Sequence, residues 1–138
     1  MDGFSIGILS LALCMILCGT GSAAAGVIGE DPKKYSKVFV LSVLPATQGI
    51  YGFVVALIGM SSLPLAGSAV VAGLPVLFAT LPMTLVGFIS AYFQGKTSIS
   101  SIQAVAKEDS ISGKMILFPA MVETYAILAL VITIMLLP

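Results

Sequence analysis

The sequence predicts an all-α membrane protein, with four transmembrane helices arranged as two duplicated hairpins. Three observations point there. Of the 138 residues, 59% are hydrophobic and 9% are charged, whereas a soluble domain carries about a quarter charged residues. Four stretches, at residues 4–29, 36–60, 67–106 and 113–137, stay apolar for the roughly 20 residues that a membrane helix needs. The second half of the chain also repeats features of the first, so residues 1–60 read as one hairpin and residues 61–138 as the other.

The first span opens with "MDGF", acidic where a secretory leader is basic, so "LALCMILC" followed by "GSAAAG" reads as a retained helix. Cys14 and Cys18, one helical turn apart, read as small apolar packing residues. No histidine or second cysteine pair exists to complete a metal site with them. The span ends in "GTGSAAAGVIG", where Ser22 and Gly26, or Ala25 and Gly29, stand four apart. Small residues at that spacing let helices approach closely in lipid.

In the second span, Leu44, Thr47, Gln48 and Tyr51 fall at i, i+3, i+4 and i+7, a single helix face. Pro45 lies in the same turn. It has no N–H to donate and crowds the turn before it, which leaves backbone carbonyls available as ligands. The third span is too long for one straight crossing, so it either starts late or projects beyond the membrane as helix. Its "ISAYFQGKTSISS" is rich in small residues. The odd-numbered spans thus suit a crowded interior, such as the inner circle of a concentric ring, with the aliphatic second and fourth spans facing lipid outside. The fourth span, "FPAMVETYAILALVITIMLLP", contains Glu123, the one acidic residue deep in a span.

Charges gather in "GEDPKKYSK" after the first span and "AKEDSISGK" after the third, whereas "GMSSLPLAGS" after the second is uncharged. The positive-inside rule makes both lysine loops cytoplasmic and places both termini outside the cell membrane. "LPATQGIYG" lines up with "FPAMVETYA": Pro45 on Pro119, Ala46 on Ala120, Tyr51 on Tyr125. Both loops carry a Glu-Asp pair, Glu30-Asp31 and Glu108-Asp109. Aligning loops and helices together takes a gap of about one helical turn. Gly49 then falls where the second copy has Glu123, so one hairpin kept a carboxylate and the other has none.

An ionised side chain at the bilayer centre costs about 2.5–3.5 kcal/mol on insertion scales and usually marks an ion pathway. Glu123 lies ten residues past Gly113, about 15 Å along a helix. Gln48 lies twelve residues past Ser36, and Gln94 twelve before Ala106 on a helix running back. Three polar residues on three spans therefore reach roughly one level. Carboxylate, amide oxygens, hydroxyl and carbonyl together make an all-oxygen site for a hard cation. A single negative charge suits a monovalent ion, because Ca²⁺ or Mg²⁺ takes more carboxylates. The extra oxygens favour Na⁺, with H⁺ second, since a proton needs only Glu123 and one hydrogen-bond partner.

Other classes are excluded or disfavoured. Six lysines, no arginine and zero net charge leave no basic face for nucleic acid. "SAYFQGKT" nearly matches the phosphate-loop pattern, but Ser90 replaces its first glycine and no strand precedes it. The chain is thus expected to bind no nucleotide and to be no enzyme by itself. Lys96 reads as snorkelling toward the interface or facing a ring interior. The rival function is a small four-span cation or drug/proton antiporter. Such a carrier wants aromatics around its carboxylate, and the chain has no Trp.

With "LPATQGIYGF", "FQGK" and "MVETYAILAL" in place, nearly the whole chain resembles the proteolipid (K or c) subunit of bacterial V-type ATPases, of the Na⁺-translocating kind. The resemblance implies a homo-oligomeric rotor ring in the lipid bilayer, turned against a stator subunit and driven by a separate ATP-hydrolysing head. It implies Na⁺ ligands at Thr47, Gln48, Gln94, Glu123 and the Leu44 carbonyl, with Tyr51 hydrogen-bonded to Glu123. It further implies a stator arginine that displaces the ion, and a central stalk docked on the cytoplasmic loops.

Overall fold

A membrane interior offers the backbone no hydrogen-bonding water, so each spanning segment must satisfy its own peptide groups. The computed structural model, which describes residues 19–61 and 69–137, is helical throughout its regular structure. Helix α1 (Thr20–Glu30) is the described end of the first expected span. Cys14, Cys18 and the leader-like start lie outside the described residues. A 3-10 turn, Pro32–Lys34, leads into α2 (Tyr35–Val43). A second 3-10 turn, Leu44–Ala46, leads into α3 (Thr47–Ser61). Helix α4 (Ala69–Lys107) is followed by the 3-10 turn Asp109–Ile111, α5 (Ser112–Met115) and α6 (Leu117–Leu136).

Among the described residues, three stretches are long and apolar enough to cross a membrane: Pro32–Ser61, Leu74–Lys107 and Asp109–Leu136. The long third span is one continuous helix. The 39 residues of α4 extend about 58 Å at 1.5 Å per residue, against a hydrocarbon core of about 30 Å. It therefore projects well beyond the membrane. Pro75 and Pro82 both lie inside it. Next to Pro82, the backbone N–H of Met83 donates to the Thr133 hydroxyl of α6 at 3.0 Å.

The two aligned prolines act by breaking the helices in front of them. Pro45 sits in the 3-10 turn between α2 and α3. Pro119 sits in the first turn of α6, just past the break at Ile116, where a missing N–H leaves no helical bond unmade. The carbonyl four residues earlier, at Met115, instead accepts from the Ser101 hydroxyl of α4 at 3.1 Å.

The two lysine-bearing connections are built alike. Asp31 (φ −141°, ψ 96°) and Glu108 (φ −138°, ψ 104°) are both extended. Each accepts, through its carboxylate, from the N–H two residues on: Lys33 at 3.1 Å and Ser110 at 3.3 Å. The Asp31 and Glu108 amides in turn close α1 and α4 on Val27 and Ala104. From cap to aligned proline the second copy is shorter by three residues, Asp31 to Pro45 against Glu108 to Pro119. The gap of one turn lies there. The connections also touch: Lys34 Nζ donates to the Ala106 carbonyl at 2.7 Å, and Lys37 pairs with Asp109 at 2.5 Å.

Packing is layered along the helices. Near the lysine connections, Ala24, Val38, Leu41, Ile102 and Val105 form a buried apolar cluster. Toward the other end, Val55, Met83 and Ala129 form a second. Between them lies a polar layer carrying the buried Gln48 and Gln94.

Candidate intramembrane ion site

The polar layer is assembled from three helices, α3, α4 and α6. Thr47 opens α3 directly after the proline turn, so its hydroxyl looks both back and across. Its Oγ1 lies 2.7 Å from the Leu44 carbonyl and 2.6 Å from Glu123 Oε1. One hydroxyl proton cannot serve both acceptors at once. When it bonds Leu44, the Thr47 oxygen faces Glu123 lone pair to lone pair, an arrangement that a proton or cation between them stabilises. One turn later, Tyr51 donates to the same carboxylate oxygen at 2.6 Å.

The opposite side of the carboxylate meets α4. The Gln94 amide nitrogen donates to Glu123 Oε2 at 3.3 Å and to the Pro119 carbonyl at 3.2 Å. Pro119 sits one turn before Glu123, so Gln94 pins the start of α6 and its acid together. Gln94 Oε1 accepts from the Gln48 amide nitrogen at 2.6 Å. Both glutamines are at most 1% exposed. Gln48 Oε1 is buried and makes no hydrogen bond among the described residues.

The structure thus brings together Leu44, Thr47, Gln48, Tyr51, Gln94 and Glu123, of which level counting along the helices concerned Gln48, Gln94 and Glu123. Gln94 turns its NH₂ rather than its oxygen toward the acid, and Gln48 holds the free amide oxygen. An unpaired buried acceptor costs about 1–3 kcal/mol, and a cation is one partner that relieves it. Three residues stand apart. Tyr125, the repeat mate of Tyr51, is 65% exposed. Gly49, the mate of Glu123, is buried in α3. Lys96 is exposed, with its ammonium 4.5 Å from the Tyr92 ring centroid. Among the described residues, no group of three or more His, Cys, Asp or Glu gathers to hold a metal ion.

Sequence reasoning missed Ser98. It is fully buried on α4, one turn beyond Gln94, and its hydroxyl makes no hydrogen bond among the described residues. Serine occurs widely along α4, so nothing in the sequence distinguishes this one.

Apolar helices that carry a single carboxylate in a layer of amides and hydroxyls define a membrane protein with an intramembrane ion-exchange group. The chain belongs to the C-subunit family of ATP synthases, whose profile matches residues 3–59 and 77–136. It is 39% identical over 143 aligned positions to the V-type sodium ATPase subunit K of Enterococcus hirae, covering 97% of this chain and 91% of that relative. It is 38% identical over 135 positions to the A-type ATP synthase subunit K of Methanocaldococcus jannaschii. That match covers 98% of this chain and 59% of the archaeal relative. Members of the family carry ions in the rotor rings of rotary ATPases, and this chain is a proteolipid subunit of that kind.

Proposed function

We propose that the chain carries Na⁺ across the cell membrane on Glu123 as one unit of a rotating ring, with H⁺ as the alternative cargo. The observation that carries the choice is the free, buried amide oxygen of Gln48, whose nitrogen is bonded to Gln94, itself bonded to the Glu123 carboxylate. A proton site has no use for it; a sodium ion does. Thr47, Gln48 and Glu123 hold the ion with the Leu44 carbonyl and with the second lone pair of the Gln94 amide oxygen, and Tyr51 keeps the acid in place. The sodium ATPase relative supports the same cargo.

Bare Glu123 resists entering lipid, and an ion neutralises it. The loaded site therefore travels through the membrane, and the empty one halts where a positive charge awaits it. This chain has no arginine, so a stator subunit supplies that charge. A separate head hydrolyses ATP, and this subunit is non-catalytic. One elementary charge moved across 100 mV corresponds to about 2.3 kcal/mol, so a single hydrolysis drives several ions.

Two hairpins, residues 1–60 and 61–138, descend from one. The twofold family match and the matched turns at Asp31 and Glu108 support this duplication. The lysine connections face the cytoplasm, where the central stalk docks, and both termini face outside. The small-residue stripe of α1 supports ring assembly. Gly21, Ala25, Gly26 and Gly29 are exposed, and a Cβ at any of the three glycines meets no heavy atom within 4 Å. Among the described residues, nothing packs against these glycines, which leaves the stripe open to a neighbouring copy.

The test is carbodiimide labelling of Glu123 in native membranes. Na⁺ is expected to block the reaction, and more effectively as pH rises and protons compete less. Labelling governed by pH alone, at every Na⁺ concentration, would transfer the cargo to H⁺.

A further inference from the structure

Hydroxyls on α4 mostly turn back onto their own helix, as serine and threonine do when nothing else claims them. Thr84, Ser90, Thr97 and Ser100 each donate to the carbonyl four residues earlier, at 2.6–3.2 Å. Ser101 instead reaches the Met115 carbonyl freed by Pro119. Ser98 does neither, although it is 0% exposed. Buried polar atoms are almost always satisfied, by protein or by ordered water.

Among the described residues, the buried side-chain polar atoms without a partner are Ser98 Oγ and Gln48 Oε1. Both border Gln94. Gln48 is bonded to its amide oxygen, and Ser98 stands one turn along the same face of α4. One is a donor in need of an acceptor and the other an acceptor in need of a donor.

We infer that Ser98 is a positioning residue of the ion site. Its hydroxyl holds an ordered water that donates to Gln48 Oε1 and so aims that amide oxygen at the cation. An amide oxygen has two lone pairs. One takes the water's proton and the other faces the ion. Fixing the oxygen in advance lowers the ordering cost of binding and keeps the Gln48 amide from turning its NH₂ toward a positive charge. This role deepens the sodium reading and rests on it.

The experiment compares Na⁺ protection of Glu123 against carbodiimide in membranes holding the whole complex. Wild type is set beside Ser98→Ala and the equal-volume pair Ser98→Thr and Ser98→Val. Loss of the hydroxyl in the Ala and Val variants is expected to raise the half-protecting Na⁺ concentration about three- to tenfold, the size of one net hydrogen bond. Ser98→Thr should stay near wild type. The pH dependence of labelling without Na⁺ should be unchanged in all of them, which a general loosening of the site would not leave alone. If one hydroxyl-free variant fails to assemble, the other carries the comparison. Identical Na⁺ curves for wild type and the hydroxyl-free variants, or an equal shift in Ser98→Thr, overturn the role of Ser98 while leaving sodium transport standing. Absence of Na⁺ protection in wild type overturns both.

Discussion

Glu123 spends both carboxylate oxygens on partners from two other helices: Thr47 and Tyr51 on Oε1, Gln94 on Oε2. Hydrogen bonds to a charged group contribute about 1.5–3 kcal/mol, and 1.4 kcal/mol is tenfold in an equilibrium constant. Tyr51→Phe removes one such bond and little volume. It should therefore raise the Na⁺ concentration for half-protection of Glu123 by about tenfold, read from labelling curves. Glu123→Gln keeps the shape of the side chain but deletes the charge that an ion must neutralise. Transport should fall to background, while the oligomer survives on native mass analysis.

The elements are held by caps and by glycine faces. The Ser110 hydroxyl and then its N–H hold the Glu108 carboxyl below the usual carboxylate range. A depressed native value means that this cap stabilises the turn above the ordinary pKa and is lost as pH falls through the lowered one. Hydrogen exchange at the Ser110 amide, relative to its intrinsic rate, should accordingly rise on acidification below about pH 4, and Glu108→Gln should remove that dependence. On α1 the expectation is different. A Cβ at Gly26 meets no described residue within 4 Å, so Gly26→Leu should let a single copy keep its helices. Close helix approach in lipid depends on small residues, so the oligomer should be lost or weakened, visible as a shift to single chains in mild detergent.

At the scale of the whole molecule, a large apolar surface remains uncovered. Ile50, Phe53, Phe78, Leu85, Leu128 and Met135 are each at least 51% exposed, far more than a lone soluble chain tolerates. Lipid and neighbouring copies are the surroundings that make such a surface stable. The two halves are joined at one end by Lys34 on the Ala106 carbonyl and Lys37 on Asp109. The Lys37–Asp109 pair is 40% and 50% exposed, and such pairs contribute about 0–1 kcal/mol. Lys37→Ala should therefore leave assembly and Na⁺ protection nearly unchanged, as measured by native mass and labelling.

How much could be read in advance differs from residue to residue. Glu123 was legible because a charge in hydrocarbon is costly enough to demand a reason. Gln48 and Gln94 were legible because helices rise by a fixed step, so counting from the loops places side chains at a level. The break at Pro45 followed from a missing N–H. By contrast, the direction of each amide is set by neighbours on other helices, and so Gln94 proves to donate to the acid while Gln48 holds the free oxygen. Ser98 was invisible for the same reason. Its difference from Ser100 lies in what surrounds it.

By itself the sequence determined that this protein lies in the membrane, that Leu44–Gly52 and Phe118–Ala126 resemble each other, and that one acid stands among oxygen-bearing side chains. Hydrophobicity, helical rise and proline chemistry act locally along the chain, and local rules can be read from order alone. Only the tertiary structure decided which atoms meet: the two bonds on one carboxylate oxygen, the turned amide of Gln94, and, among the described residues, the buried Gln48 Oε1 and Ser98 Oγ left without partners. Hydrogen bonds reach about 3 Å, and no spacing along a helix fixes a distance between helices to that margin.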